Sequence, residues 1–289
     1  MPRAPSFRFG TVGAPRSTPA KPGGSTGAIM RLAELGLGAF ELGWVQSVRV
    51  TEKTCEQIRA AAHQNHVALS VHAPYFINLN ADDKEWPKSR KRLMDAAHYG
   101  HLAGASDIVF HPGSYFRRSP EEVLEKTIPR LRQCVEELRS KGNPAVLRPE
   151  TMGKRAMLGS LEDILIMSQE IEGVEPCIDF SHLHARAGNG TWNSREEWKH
   201  VLRRIQKALG ARALRRLHCH LSGIEYGDKG ERKHLMLAES DLDLVGLLTA
   251  LEEAGCGGRI LCESPVMEDD AVTLRQTWEK VAASAPAGS

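Results

Sequence analysis

The sequence predicts an α/β protein of the (β/α)8 TIM-barrel class, a single domain over residues 1–284. Three observations carry this. Short apolar runs alternate with amphipathic helical patterns along the 289 residues. Eight such runs can be read, counting Phe7 to Val12. Most of them also end in His, Asp or Glu. A barrel brings all strand ends to one rim, whereas a doubly wound open sheet gathers its site at one switch point.

Phe7 to Val12 reads as the first strand, followed by a loop rich in Pro and Gly and a helix beginning near Ser25 or Thr26. The loop sequence GAPRSTPAKPGG lacks the spacing of a phosphate loop. AFELGW is a strand, TEKTCEQIRAAAHQNH a helix and VALSVH a strand, with a helix across Lys88 to Gly100. DIVFH is a strand, Pro120 to Ser140 a long amphipathic helix, AVLRPE a strand and Ser160 to Glu170 a helix. EPCIDF, RRLHCH and RILCE complete the strands. The helices between and after them are Ser194 to Leu209, Asp243 to Ala254 and LRQTWEKVAAS. The tail at 285–289, APAGS, is expected to be disordered.

Composition narrows the class. The hydrophobic fraction is 41% and the formal net charge is +2, with a pI near 8.2. Such mild basicity permits nucleic-acid binding without arguing for it. None of the six cysteines forms a CxxC pair, which speaks against a zinc ribbon or a thioredoxin-like site, and buried free thiols are expected. No apolar signal-peptide core opens the chain, and no window approaches the roughly 18 apolar residues of a membrane span. A cytoplasmic, reducing location and a chain that acts as a monomer are the expectations.

The chemistry lies at the strand ends. His72 closes ALSVH and His111 follows DIVF, each with a Pro within two residues that restrains the backbone. Glu150 ends AVLRPE and Glu263 ends RILCE. Asp179 and His182 lie in CIDFSH, with His184 next along. His218 and His220 share a strand face by the period of two, so either suits an inward ligand. Glu231 and His234 read as part of a charged loop, GDKGERKH, able to close over the site. Any one of these has a bland alternative: a satisfied core histidine, a salt-bridged glutamate or a solvated loop. Together they form the imidazole and carboxylate set that suits zinc or manganese.

Of the basic clusters, Lys88 to Arg92 reads as a solvated helix face. Arg215 and Arg216 open a strand and belong at the far end of the barrel. Arg117 and Arg118 follow the His111 strand and belong on the rim, where they suit phosphate contacts. Tyr75, Phe76, Tyr115 and Phe116 are rim aromatics suited to stacking on a sugar or base, or to packing the loops.

HAPYFINL at 72–79, HPGSY at 111–115, ETMG at 150–153 and CIDFSH at 177–182 resemble the strand-end motifs of the endonuclease IV family. These are zinc-dependent apurinic/apyrimidinic endonucleases within the xylose-isomerase-like TIM-barrel superfamily. The resemblance runs from about residue 67 to 263. It implies up to three zinc ions, with manganese as the substitute. By motif, His72, His111 and Glu150 match the first metal's ligands, with Glu150 also bridging. Asp179, His220 and Glu263 complete the second; His182, Glu231 and His234 match the third. The Leu-Ser after His220 resembles the family's Leu-Asn and favours His220 over His218.

The implied activity is hydrolysis of the phosphodiester 5′ to an abasic site in duplex DNA. Glu150 and Glu263 would be the catalytic carboxylates, and Tyr75, Tyr115, Arg117 and Arg118 the DNA contacts. The chain departs from the pattern in three places. Glu-Arg-Lys-His at 231–234 replaces Asp-Arg-His, the opening strand lacks the usual His-Val-Ser-like motif, and GWVQSVRV is unlike the family's DNA-penetrating loop. Two rivals stand beside this reading: a sugar isomerase or epimerase on the same barrel, and a non-catalytic damaged-DNA-binding protein.

Overall fold

Parallel strands buried on both faces need near-continuous apolar runs, and the strands here have them. In the computed structural model, which describes residues 7–284, all four residues of DIVF and all five of LHCHL are buried. The barrel strands are β1 (Phe7–Val12), β2 (Ala39–Gly43), β3 (Ala68–His72), β4 (Asp107–Phe110), β5 (Val146–Pro149), β6 (Cys177–Asp179), β7 (Leu217–Leu221) and, after a hairpin, β10 (Gly258–Cys262). They pair in parallel in the order β5-β4-β3-β2-β1-β10-β7-β6. The single bridges Leu147↔Val174 and Glu150↔Cys177 bring β5 against the β6 segment, so the ring is nearly closed. The expected barrel is therefore the observed one.

The outer layer contains α1 (Gly24–Glu34), α2 (Glu52–Gln64), α3 (Trp86–Ala103), α4 (Pro120–Ser140), α5 (Leu161–Glu170), α7 (Arg195–Leu209), α9 (Leu244–Glu253) and α10 (Glu268–Ser284). Ser119, Ser160 and Ser194 each close a capping box at the start of α4, α5 and α7, satisfying amide groups the first turn leaves free. Their apolar faces meet the outward residues of the strands. Leu217, Cys219 and Leu221 of β7 join that core, while His218 and His220 point into the barrel. Two short helices, α6 (Phe180–Arg186) and α8 (Ala211–Leu214), follow β6 and α7. Phe180 meets Trp198 edge to face at 5.4 Å, locking α6 onto α7.

The structure corrects some boundaries. The third helix starts at Trp86, with Pro87 in its first turn, and the last starts at Glu268, where three acids favour a helix N-terminus. Glu231 and His234 do not lie on a loop. They belong to an antiparallel hairpin, β8 (Gly223–Gly227) with β9 (Gly230–Leu235), whose backbone pairing overrides the polar, loop-like composition. The tail at 285–289 lies outside the described residues, as do residues 1–6.

The six cysteines are all buried and unpaired. Lys88, Arg90, Lys91 and Arg92 each pair with a neighbouring acid on the helix surface. At the amino-terminal end of the barrel, buried Arg148 bonds Asp107 at 2.5 Å, Glu175 at 2.9 Å and the Pro176 carbonyl at 2.8 Å. Arg259 reaches the same Asp107 at 3.0 Å. Among the described residues, no helix is long and apolar enough to cross a membrane.

Candidate metal centre

The carboxyl ends of the strands deliver the imidazoles and carboxylates to one place. Glu150, just past β5, is wholly buried at its middle. His72 Nε2 and His111 Nε2 each lie 3.3 Å from its Oε2. On its Oε1 side stand His182 Nδ1 and His220 Nδ1, both at 3.3 Å. Asp179 Oδ2 is 3.5 Å from His182 Nδ1, and Glu263 Oε1 is 3.6 Å from His220 Nδ1. Glu231 Oε2 lies 3.6 Å from His182 Nε2, and its Oε1 lies 4.0 Å from His234 Nε2.

Five groups among the described residues have ligand atoms within 4.8 Å of one another. Three of them are built wholly from these side chains: His72, His111 and Glu150; Glu150, Asp179, His220 and Glu263; and His182, Glu231 and His234. Glu41 with His72 and His220, and Cys177 with His218 and His220, form the other two deeper in the barrel. Buried Glu150 Oε2 and Asp179 Oδ2 have no hydrogen-bond partner. Unsatisfied buried carboxylate oxygens are costly, and a divalent cation satisfies several at once. The donor set therefore fits zinc or manganese.

Backbone geometry brings the third set in. Glu231 N–H donates to the Gly153 carbonyl at 2.9 Å, seating the hairpin on the ETMG segment. A Cβ on Gly153 would lie 2.7 Å from Glu231 Cβ and 3.0 Å from His182 Cδ2. Only glycine allows this approach, which gives the motif's last residue a physical reason.

A cavity of about 540 Å³ opens over the cluster, lined in part by Tyr75, His111, Lys154, His182, Glu231 and Glu263. With the site described, comparison with known proteins becomes informative. A family model described as xylose isomerase-like TIM barrel matches residues 29–285. The chain belongs to the xylose isomerase-like TIM barrel family.

An uncharacterized protein of Methanocaldococcus jannaschii is 35% identical over 274 residues, covering 94% of this chain and 97% of that one. A probable endonuclease 4 of Aquifex aeolicus is 26% identical over 187 residues, covering 64% and 66%. Endonuclease IV from Thermus thermophilus superposes with a TM-score of 0.71 at 23% identity, covering 95% and 100%. A D-tagatose 3-epimerase-like protein superposes with a TM-score of 0.70 at 19% identity, covering 94% and 97%. At those identities the two structural likenesses are likenesses of fold. The fold is thus shared with both proteins, and the fold alone does not choose between them.

In this xylose isomerase-like barrel the acids in and around the site are met by imidazoles. Glu41, Glu150, Asp179, Glu231 and Glu263 have only histidines as ion-pair partners; among the described residues no Lys or Arg reaches them. Burial alone would raise the Glu150 pKa, but the His220 charge and bonds from His111, His182 and His220 hold it well below the carboxylate range. Asp179 is pushed up by burial, with the charges of Glu263 and Glu150 adding to the effect. Burial opposes protonation of His182, but Asp179 and Glu150 outweigh it and raise its pKa well above the ordinary value.

His220 faces the acids, whereas His218 lies deeper, its Nε2 2.9 Å from Glu41, and burial pushes its pKa down to about 4. His184 turns away and bonds Asp241 at 3.0 Å. Tyr75 lines the cavity and stacks on His111 with centroids 4.9 Å apart. Tyr115 sits to one side, its hydroxyl donating to Asp163 at 2.5 Å. Arg117 and Arg118 are exposed on the loop after β4 and do not line the cavity.

Two residues escaped the sequence reading. Lys154 is the one Lys or Arg lining the cavity among the described residues. Nothing but its place after ETMG could have flagged it. Glu41 is wholly buried inside the barrel. Its signal was available, since a carboxylate inside the apolar strand AFELG needs a partner.

Proposed function

We propose that this chain is a metal-dependent phosphodiesterase that cuts duplex DNA on the 5′ side of an abasic site. The observation that carries the reading is the third set, in which the hairpin brings Glu231 and His234 to His182 of α6, beside the two sets that share Glu150. An isomerase needs one or two cations; three sets suit a site that also grips a phosphodiester. The 26% identity to a probable endonuclease 4 supports the same reading.

In this account His72, His111 and Glu150 would hold one zinc, Glu150, Asp179, His220 and Glu263 a second, and His182, Glu231 and His234 a third, with manganese as an alternative. Bound cations supply Lewis acidity, acidifying water and neutralising phosphoryl charge. The chain's own residues do the rest. Glu150 holds the histidines around a common centre. Glu263 borders the cavity and orients the attacking water, taking its proton at a carboxylate oxygen. Lys154 meets a phosphate oxygen. Tyr75 and the exposed Phe76 and Phe116 offer faces on which the gap and its neighbouring bases stack. Arg117, Arg118 and Tyr115 contact the flanking backbone. An abasic nucleotide is already poorly stacked, so turning it into the cavity costs little. The chain would work as a monomer in a reducing cytoplasm, which the unpaired buried thiols favour.

A second reading, sugar epimerisation, draws on the fold shared with the D-tagatose 3-epimerase-like protein and on two carboxylates, Glu150 and Glu263, facing one site. The test pairs metal analysis with incision of a duplex carrying one abasic site. Near three zincs per chain, with cutting that disappears in Glu150→Gln and Glu263→Gln, is the expected result. One manganese per chain with ketose epimerisation and no incision would replace the first reading by the second.

A further inference from the structure

Three histidines of the centre, His72, His182 and His234, have Nδ1 beside a neutral protein oxygen and Nε2 turned toward an acid, although His182 Nδ1 also lies 3.3 Å from Glu150. His72 Nδ1 lies 3.0 Å from the Ala73 carbonyl, leaving Nε2 toward Glu150. His182 Nδ1 lies 2.9 Å from the Thr151 carbonyl, leaving Nε2 toward Glu231. His234 Nδ1 lies 2.9 Å from Ser222 Oγ, leaving Nε2 toward the same glutamate.

His220 is reversed. Its Nδ1 faces Glu150 at 3.3 Å and Glu263 at 3.6 Å, and its Nε2 lies 2.9 Å from Glu41 Oε1. At present neither Nε2 nor that oxygen is in hydrogen-bond line, and both are buried without a partner. The other oxygen of Glu41 is already fixed, 2.7 Å from Ser70 Oγ and 2.9 Å from His218 Nε2. A neutral imidazole carries one N–H. If Nδ1 gives its lone pair to a cation, the proton must sit on Nε2, and the acceptor there is Glu41 Oε1.

We propose that Glu41 is the positioning residue of the centre: buried on β2 and braced by Ser70 and His218, it holds the Nε2 proton of His220 and so presents Nδ1 to the cation shared by Glu150, Asp179 and Glu263. This rests on the metal reading above and adds to it. The oxygens 2.9–3.0 Å from the Nδ1 atoms of His72, His182 and His234 are carbonyls and a hydroxyl, whereas the oxygen beside His220 Nε2 belongs to a carboxylate. Glu41 also gives His218 a role, as the brace of a carboxylate rather than a ligand.

The test uses the full chain, zinc and a competing chelator. Glu41→Ala is expected to weaken one zinc equivalent by about 10- to 100-fold, leaving the rest bound. Glu41→Gln keeps an acceptor oxygen and is expected to recover most of that affinity. A second measurement needs no variant: in cadmium-loaded wild-type protein with nitrogen-labelled histidine, His220 should couple to cadmium through Nδ1 and carry its proton on Nε2. Equal zinc affinity in wild type and Glu41→Ala, or coupling through Nε2, would overturn the role of Glu41 while sparing the metal reading. A wild-type chain that takes up neither zinc nor cadmium would overturn both.

Discussion

The two ends of the barrel bury acids in opposite ways. At the amino-terminal end Asp107 meets Arg148 and Arg259, and Arg148 also reaches Glu175 and the Pro176 carbonyl. At the carboxyl-terminal end Glu150 and Asp179 have only imidazoles as ion-pair partners, and each keeps one unpartnered oxygen, the other oxygen of Asp179 capping α6 at the His182 backbone N–H. The first is a closed account of charge, and the second is an open one. A guanidinium is a permanent cation with a rigid fork of donors, so it satisfies a carboxylate for good. Histidine can give up its proton and offer a lone pair, so a histidine–carboxylate cluster can exchange protons for a metal. Buried acids partnered by arginine therefore mark the end built to hold the barrel together, and buried acids partnered by histidine mark the end built to take up a cation.

The sharpest way to break this contrast is to alter one residue at each end. Glu150→Gln should lower incision by on the order of 10³-fold, the scale lost with a single charge-stabilising group, while denaturant unfolding of the metal-free protein is little changed. Arg148→Ala should do the reverse. Because Arg259 still reaches Asp107, the loss should stay below the roughly 3–5 kcal/mol of a fully unpaired buried charge, seen as a lower urea midpoint, with the zinc content of the remaining folded protein unaltered. If Glu150→Gln unfolded the chain and Arg148→Ala emptied the metal sites, the division between the two ends would be wrong.

A milder perturbation removes metal from the wild type. Cations bind the folded state, so a chelator should lower Tm; at a free metal concentration of 100 Kd the linkage is about 2.7 kcal/mol, or roughly 5 °C for a chain of this length. Arg148→Ala should show the same chelator effect, since its lesion is at the other end. An unchanged Tm in the wild type would remove the rim's claim to metal.

The smallest effect separates the ends by pH. Burial alone would raise the Asp107 pKa, but the charges of Arg148 and Arg259 hold it well below the usual range. Its contribution is fully present above the unfolded aspartate value of about 3.9 and is lost as pH falls toward the folded value. From pH 4 to pH 3 it accounts for at most about 1.4 kcal/mol, because one proton is taken up on unfolding. Asp107→Asn should flatten the acid dependence of the urea midpoint in that window; an identical slope would show that Asp107 does not carry it.

Particular residues show how far the chain could be read in advance. His72, His111, Glu150, Asp179, His182 and Glu263 were visible because each follows a short apolar run, and parallel strands fix which end such residues occupy. Glu231 and His234 were visible as candidates but not as parts of a hairpin, because strand pairing is a contact between segments and GDKGERKH has a loop's composition. Glu41 was passed over. Alone in AFELG it is a carboxylate without a stated partner, and its partners lie 29, 177 and 179 residues away in sequence.

By itself the sequence determined the barrel and the identity of the groups at its mouth. Period, run length and strand-end chemistry are local properties, and closing eight strands into a ring leaves the ends nowhere else to go. Only the tertiary structure showed that His220 faces Glu150 and Glu263 while His218 braces Glu41, seated the hairpin on Gly153, and placed Glu41 beneath His220. Those depend on distances across the barrel, and neighbours along the chain hold no record of them.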